Sequence, residues 1–496
     1  MKPTYYELTS GQQLLLYSQT FTIHKQINNI FTLMLLEKKL DFEVLKAAID
    51  HAYQQNDAFR LRFTKIERKI KQYFIPTEQP HIEVLDFSGK TQADMDKCFY
   101  NYAHKPFKFI DKPMSKVFLV HSWNGMDGIY FGVSHMILDS WGICVFLQFV
   151  MEVYESMKNS TPLPKPLSPL EPMLQEELAY KGSPRYHKDL EFWQNEFKRL
   201  PEPLLSHING PSILEKERKK KRNPNLSYAK IIGLRTSARH EVLYVTKEKV
   251  EKIQQYCEAS KISMQAVFMF GVRTALSKLN NRQANIGFYA TFARRGTLQE
   301  KRAGGTRPHS TVFRNIMAED LTFEKACQLI FGQQTAIYRH ADCDTIELIN
   351  MEAKAYNRKG YFTGWYSMVF TFQPIKLVVS DGTPVHTQWV CNGAFSSTHY
   401  LTIMDADGTG ALRCYHEYQK HVVTAQRLRE LQSLIEQAIM AGVENPSATI
   451  GEILDRIDIN LPQGNDLPFS GNHPLRTPLD TPGEIVAAES VSSTAG

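Results

Sequence analysis

His135 stands four residues ahead of Asp139 in the run Val133-Ser134-His135-Met136-Ile137-Leu138-Asp139-Ser140-Trp141-Gly142. A neutral imidazole can take a proton from a nucleophile, and an acid one turn further on can hold the loop that carries the ring. Apolar runs flank the pair: Gly128 to Val133 reads as a buried strand, Ile143 to Leu147 as the first turns of a buried helix. The pattern predicts a strand that delivers His135 to a reaction site as a fixed base, with Asp139 turned back to brace the loop. By its spacing alone, His135 reads equally well as a hydrogen-bonded core histidine.

The elements that must position this pair are legible on both sides of it. Thr9 or Ser10 can cap a helix whose apolar side begins at Leu14. In Asp57 to Phe63, alternation puts Phe59, Leu61 and Phe63 on one face of a strand and Arg60 and Arg62 on the other. Further strands are predicted over 30–36, 117–120, 129–133, 241–245, 285–289, 367–372 and 400–404. Helices are predicted over 42–54, 143–157, 190–200, 247–258 and 264–279. Helices and strands alternate in both halves, which predicts α/β lobes.

Together these segments resemble the condensation domains of nonribosomal peptide synthetases. His135, Ile137, Asp139 and Trp141 match the active-site motif His-His-x-x-x-Asp-Gly, while Ser134 replaces the first histidine and Ser140 the glycine. Ser10, Gln13, Leu16 and Tyr17 match the opening helix motif, and Arg60 and Phe63 the Leu-Arg-Thr-x-Phe strand. Leu190 to Gln194 resembles the Tyr-Trp helix of the second half, and the strand Leu412 to Tyr418 precedes a long amphipathic helix from Thr424 to Ala441. The resemblance runs from Tyr5 to Ile453, specific in the first half and loose in the second.

The resemblance implies two chloramphenicol acetyltransferase-like α/β lobes arranged as a V-shaped pseudo-dimer with a central tunnel. An N-terminal lobe would span 1–178 and a C-terminal lobe 179–455, followed by a disordered tail or linker over 456–496. The implied reaction joins carrier-bound acyl or aminoacyl thioesters through an amide bond. His135 would act as general base or would position the amine. Asp139 would be structural and paired with Arg60 or Arg62, and Ser134 would support the loop. Ser140, Trp141 and Gly142 would border the acceptor path, with backbone amides near Trp141 and Gly142 available to an oxyanion. No cofactor is expected on the chain itself; substrates would arrive on phosphopantetheine arms of acyl or peptidyl carrier proteins, with other synthetase modules as further partners. Two alternatives stay open: an acyltransferase passing an acyl group from a CoA or carrier thioester to a free alcohol or amine, and an inactive condensation-like domain that recruits another protein. With no adenylation signature and no Gly-Gly-x-Ser carrier motif, the chain is not expected to load its own substrates.

Composition narrows the setting. A chain of 496 residues with 43% apolar content can bury more than one core. Met1 to Tyr6 lacks the apolar region of a signal peptide, and no stretch reaches the ~18 apolar residues that cross a membrane. Seven dispersed cysteines without a C-x-x-C pair predict reduced thiols and a cytoplasmic location. His340, Asp342, Cys343 and Asp344 carry ligand chemistry, but residues this close in sequence rarely converge on one ion, so no metal is expected. The basic run Lys216 to Arg222 is read as a solvated loop; without aromatic interleaving it does not predict nucleic-acid binding. The stretch from Leu461 to Gly496 holds four acids against one arginine, so the remainder is more cationic than the overall +6 and suits an acidic carrier protein.

Overall fold

The computed structural model describes residues 3–459 apart from 231–234, 360–363 and 374. Its strands, in chain order, are β1 (Asn29–Leu36), β2 (Leu61–Ile66), β3 (Lys69–Phe74), β4 (Ile82–Asp86), β5 (Ser115–His121), β6 (Asp127–Ser134), β7 (Ala238–Val245), β8 (Asn285–Phe292), β9 (His309–Ile316), β10 (Met368–Gln373), β11 (Val385–Val390), β12 (His399–Asp405) and β13 (Leu412–Gln419). Most form two sheets, ordered β11-β1-β6-β5-β4 and β7-β13-β12-β10-β8-β9, while β2 and β3 make a separate hairpin.

In the first sheet β6 is buried along its whole length, because helices cover both faces. Met34, Ile129, Phe131 and Val133 pack with the helices Phe42–Gln55 and Ser140–Lys158. Leu33, Leu35 and Tyr130 point the other way, toward Met95 and Phe99 of the helix Gln92–Ala103. Antiparallel pairing with β1 (Ile30 opposite Val133) fixes the register that brings His135 just past the strand end.

The second sheet buries one face against the helices Met264–Leu279 and Ala425–Glu444. Strand β11 comes from the C-terminal half yet pairs with β1 of the first sheet, Val390 opposite Phe31. The division expected between residues 178 and 179 is therefore crossed by a strand. Of the expected tail 456–496, Arg456 ends the helix Ile450–Arg456, and residues 460–496 lie outside the described residues.

Two local expectations are corrected. Residues 57–60 form a 3-10 turn instead of strand, because the Asn56 side chain accepts from Ala58 N and Asp57 accepts from Leu170 N; β2 starts only at Leu61. The basic run is helical rather than a loop: Ser212–Lys221 is a helix with its cations in the last turn, where they favour the negative end of the helix dipole.

Candidate active site

Strand β6 ends at Ser134, and five residues later Asp139 caps the helix Ser140–Lys158, its Oδ1 accepting from Gly142 N at 2.7 Å. Between them the chain turns tightly. The Ser134 carbonyl accepts from Ile137 N at 3.0 Å, its hydroxyl accepts from Met136 N at 3.3 Å, and His135 N donates to Asn28 O at 2.6 Å. Ser134 thus supports the loop through its side chain. Thr306 donates its hydroxyl to the His135 carbonyl.

Asp139 is held from the other half of the chain. Arg295 Nη2 donates to Oδ1 at 3.1 Å and to Oδ2 at 2.9 Å, and Arg307 N donates to Oδ2 at 3.1 Å. Arg295 Nη1 donates to the carbonyls of Glu300 and Ala303, both at 2.9 Å, and Asp139 N returns a bond to Gly305 O. The segment between β8 and β9 therefore clamps the histidine loop, with both members of the ion pair buried. This overturns the expected pairing with Arg60 or Arg62. Arg60 donates to Pro76 O, while Arg62 bonds Phe59 O and Leu61 O and pairs with Glu78. Both bond residues in or next to the β2–β3 hairpin, which belongs to neither large sheet. Arg295 lies 156 residues from Asp139, and its only sequence signal is a pair of arginines shortly after a predicted strand.

The expected oxyanion donor at Gly142 is also corrected, since its N–H is spent on the Asp139 carboxylate. A Cβ there would lie 2.7 Å from a Leu138 methyl. Trp141 turns its indole N–H to Lys301 O at 3.0 Å and does not line the cavity between the two halves. Ser140 does line it, donating its hydroxyl to Gln373 Oε1 of β10 at 2.7 Å and so bridging the two sheets.

That cavity has a volume of 470 Å³. On one side stand Leu14, Tyr17 and Phe21 of the helix Ser10–Phe21, with His135 and Asn28; on the other are Tyr289, Thr371 and Tyr400 on the free face of the second sheet. His135 is half-buried, and its Nδ1 is fully enclosed with no hydrogen-bond partner. Burial lowers the His135 pKa, partly offset by the Asp139 carboxylate and the ring's own backbone, so the imidazole is neutral at neutral pH. The arrangement can accept a proton inside a lined cavity.

The residues at 340–344 serve other ends. His340 Nδ1 bonds Asp189 at 2.7 Å, Asp342 pairs with Arg185 and Arg294, and Asp344 caps the helix Thr345–Ala355.

A condensation-domain family profile matches residues 2–455. The chain belongs to this family. Among curated proteins it is similar to a plipastatin synthase component of Bacillus subtilis (strain 168), 21% identical over 453 residues that make up 90% of this chain and 17% of that protein. Surfactin synthase subunit 1 of the same organism is 19% identical over 91% of this chain and 12% of its own length. The chain thus spans less than a fifth of either relative. Among solved structures, the first condensation domain of the calcium-dependent antibiotic synthetase, bound to a substrate analogue, superposes with a TM-score of 0.74 at 17% identity, covering 90% of this chain and 98% of that one. The starter condensation domain of rhizomide synthetase, in complex with C8-CoA, gives 0.76 at 16% identity, covering 92% and 98%. The mixed α/β fold is that of these condensation domains. Among the described residues, no helix is long and apolar enough to cross a membrane.

Proposed function

We propose that this condensation domain is an acyltransferase that forms an amide bond between two thioester-bound substrates delivered by carrier proteins. The observation that carries the reading is His135: a neutral imidazole with an unpartnered, enclosed nitrogen, bordering the cavity between the two halves on a loop fixed by the Asp139–Arg295 pair.

The acceptor nitrogen attacks the donor carbonyl carbon with its lone pair, so it must be uncharged. As the C–N bond forms the nitrogen gives up a proton, which His135 accepts or orients. The C–S bond then breaks, and the proton goes to the departing sulfur, leaving an amide and a free thiol. Such assistance contributes about 10²–10⁴-fold, and alignment of the two substrates contributes further. A 470 Å³ cavity falls within the range of small-molecule sites. The rhizomide relative holds an acyl thioester, C8-CoA, and the curated relatives are peptide synthases. Both facts favour thioester donors on phosphopantetheine arms, with carrier proteins and other synthetase modules as partners, in a cytoplasm that keeps the thiols reduced.

The test is intact-mass analysis of carrier-loaded donors incubated with the protein and candidate nucleophiles. Amide product with the wild type and its loss in His135→Ala are the expected results. Full product from His135→Ala refutes the role given to His135, and transfer only to alcohols replaces the amide reading with ester formation.

A further inference from the structure

The cavity holds a carboxyl group that the amide-forming reaction does not use. Glu417 of β13 lies in register with Tyr400 of β12 on one side and His240 of β7 on the other. Alternation along β13 turns Cys414 and His416 into the core, where His416 bonds Gln432 of the long C-terminal helix. Tyr415 and Glu417 face the opposite way, and both line the cavity that His135 borders, as do His240 and Tyr400. Among the described residues no ion pair involves Glu417, and Arg413 on the same strand is already committed to Asp407 at 2.7 Å. Burial alone, with no cation beside it, pushes the Glu417 carboxyl up to about 8.

A half-buried carboxyl with no countercharge is costly in a structural role, and here its free surface opens on a substrate-sized cavity. The tyrosine rings beside it form the walls: Tyr400 stacks on Phe395 at 5.5 Å, and the Arg413 guanidinium already lies over Tyr415. We propose that Glu417 is a specificity residue that receives a primary ammonium group carried by one of the substrates, with Tyr400 and Tyr415 walling the head group. The inference rests on the reading of this cavity as the substrate site. It names the substrate class: an acyl or aminoacyl group bearing an ammonium in addition to the nitrogen that reacts. The ammonium has two sources, the α-amine of an aminoacyl donor or a basic aliphatic side chain.

Calorimetric titration separates these with unreactive pantetheine conjugates in which an amide replaces the thioester. Three are compared: Nα-acetyl-lysyl, alanyl with a free α-amine, and neutral Nα-acetyl-norleucyl. The wild type is expected to bind one ammonium conjugate about 10-fold or more tightly than the neutral one, as for a charge-assisted hydrogen bond. The conjugate preferred identifies the source. Glu417→Gln keeps shape and removes the ionisable carboxyl; it is expected to erase the preference while leaving the neutral conjugate's affinity unchanged, and Glu417→Ala provides a second variant. No ammonium preference in the wild type, or one that survives Glu417→Gln, overturns the proposal. Binding needs no turnover, so an ammonium preference in the wild type alongside failure of the wild type to form amide in the carrier-loaded assay would remove the amide-forming reading and leave the role of Glu417 standing.

Discussion

Truncating Asp139 to alanine tests the anchoring of the histidine loop. The carboxylate is buried and accepts from Arg295 at two oxygens, from Gly142 N and from Arg307 N. Breaking a buried pair by removing one partner costs about 3–5 kcal/mol, because the other charge stays behind uncompensated. A lost helix cap on its own costs about 0.5–2 kcal/mol, but the contributions overlap on one side chain and do not add in full. Arg295 keeps its bonds to the Glu300 and Ala303 carbonyls, which softens the loss. The expected destabilisation of Asp139→Ala is therefore about 4 kcal/mol. Urea unfolding followed by tryptophan fluorescence measures it, and a double-mutant cycle apportions it. Asp139→Ala with Arg295→Ala should cost less than the two singles together by about 2 kcal/mol, whereas Asp139→Ala with Arg62→Ala should be additive within about 0.5 kcal/mol. Coupling to Arg62 and none to Arg295 would refute the reasoning, since the clamp would then come from the hairpin.

Four further outcomes follow from the same structure. His135→Ala should lower single-turnover amide formation about 10²–10⁴-fold while unfolding near the wild-type denaturant concentration, because the ring's enclosed nitrogen bonds no other residue. With the His135 pKa held below the ordinary histidine value of about 6.5, the wild-type rate should be flat at neutral pH and fall only on acidification below it. Burial also lowers His207 and His416 to about 4; depressed histidines stabilise the fold above about pH 6.5, and that stability is lost as pH falls toward 4, on the order of 3 kcal/mol apiece, visible as a falling urea midpoint. Gly128→Ala would set a Cβ 1.9 Å from Met34 O, so pairing of β1 with β6 should fail at a cost of about 3 kcal/mol or more, read by the same unfolding assay or by loss of soluble protein.

What could be read from the sequence was what is written locally. The helix at Phe42–Gln55, the run of β6 and the helix at Met264–Leu279 carry strong apolar patterns and are found within one or two residues of where periodicity places them. The loop from Ser134 to Asp139 was legible for the same reason, being framed by a strand and a helix. Strand β11 was not, because its half-buried pattern of Val, His, Thr, Gln and Trp is too mixed to mark an apolar face. Nor was the helical state of Ser212–Lys221, where charge suggested solvation although Lys, Glu and Arg are good helix formers. The partner of Asp139 stayed hidden for a different reason. Several arginines could serve a buried acid, and which one does depends on how the two sheets dock, something no local pattern records.

That docking gives the site its logic. The imidazole is delivered by the first sheet, but the residues that fix its loop, Arg295, Gly305, Thr306 and Arg307, come from the segment joining β8 to β9 of the second. Ser140 adds a bond to Gln373 of β10 across the same boundary, and β11 ties the C-terminal half into the first sheet alongside β1. A change in the spacing of the halves would alter the cavity between them and the hold on Asp139 together, because the same contacts determine both. His135 is consequently placed against the cavity wall only while the halves are joined. His135 in the first half and the cavity-lining residues of the second are thus held in one frame, and a buried ion pair between the halves is a geometric requirement more than a source of net stability.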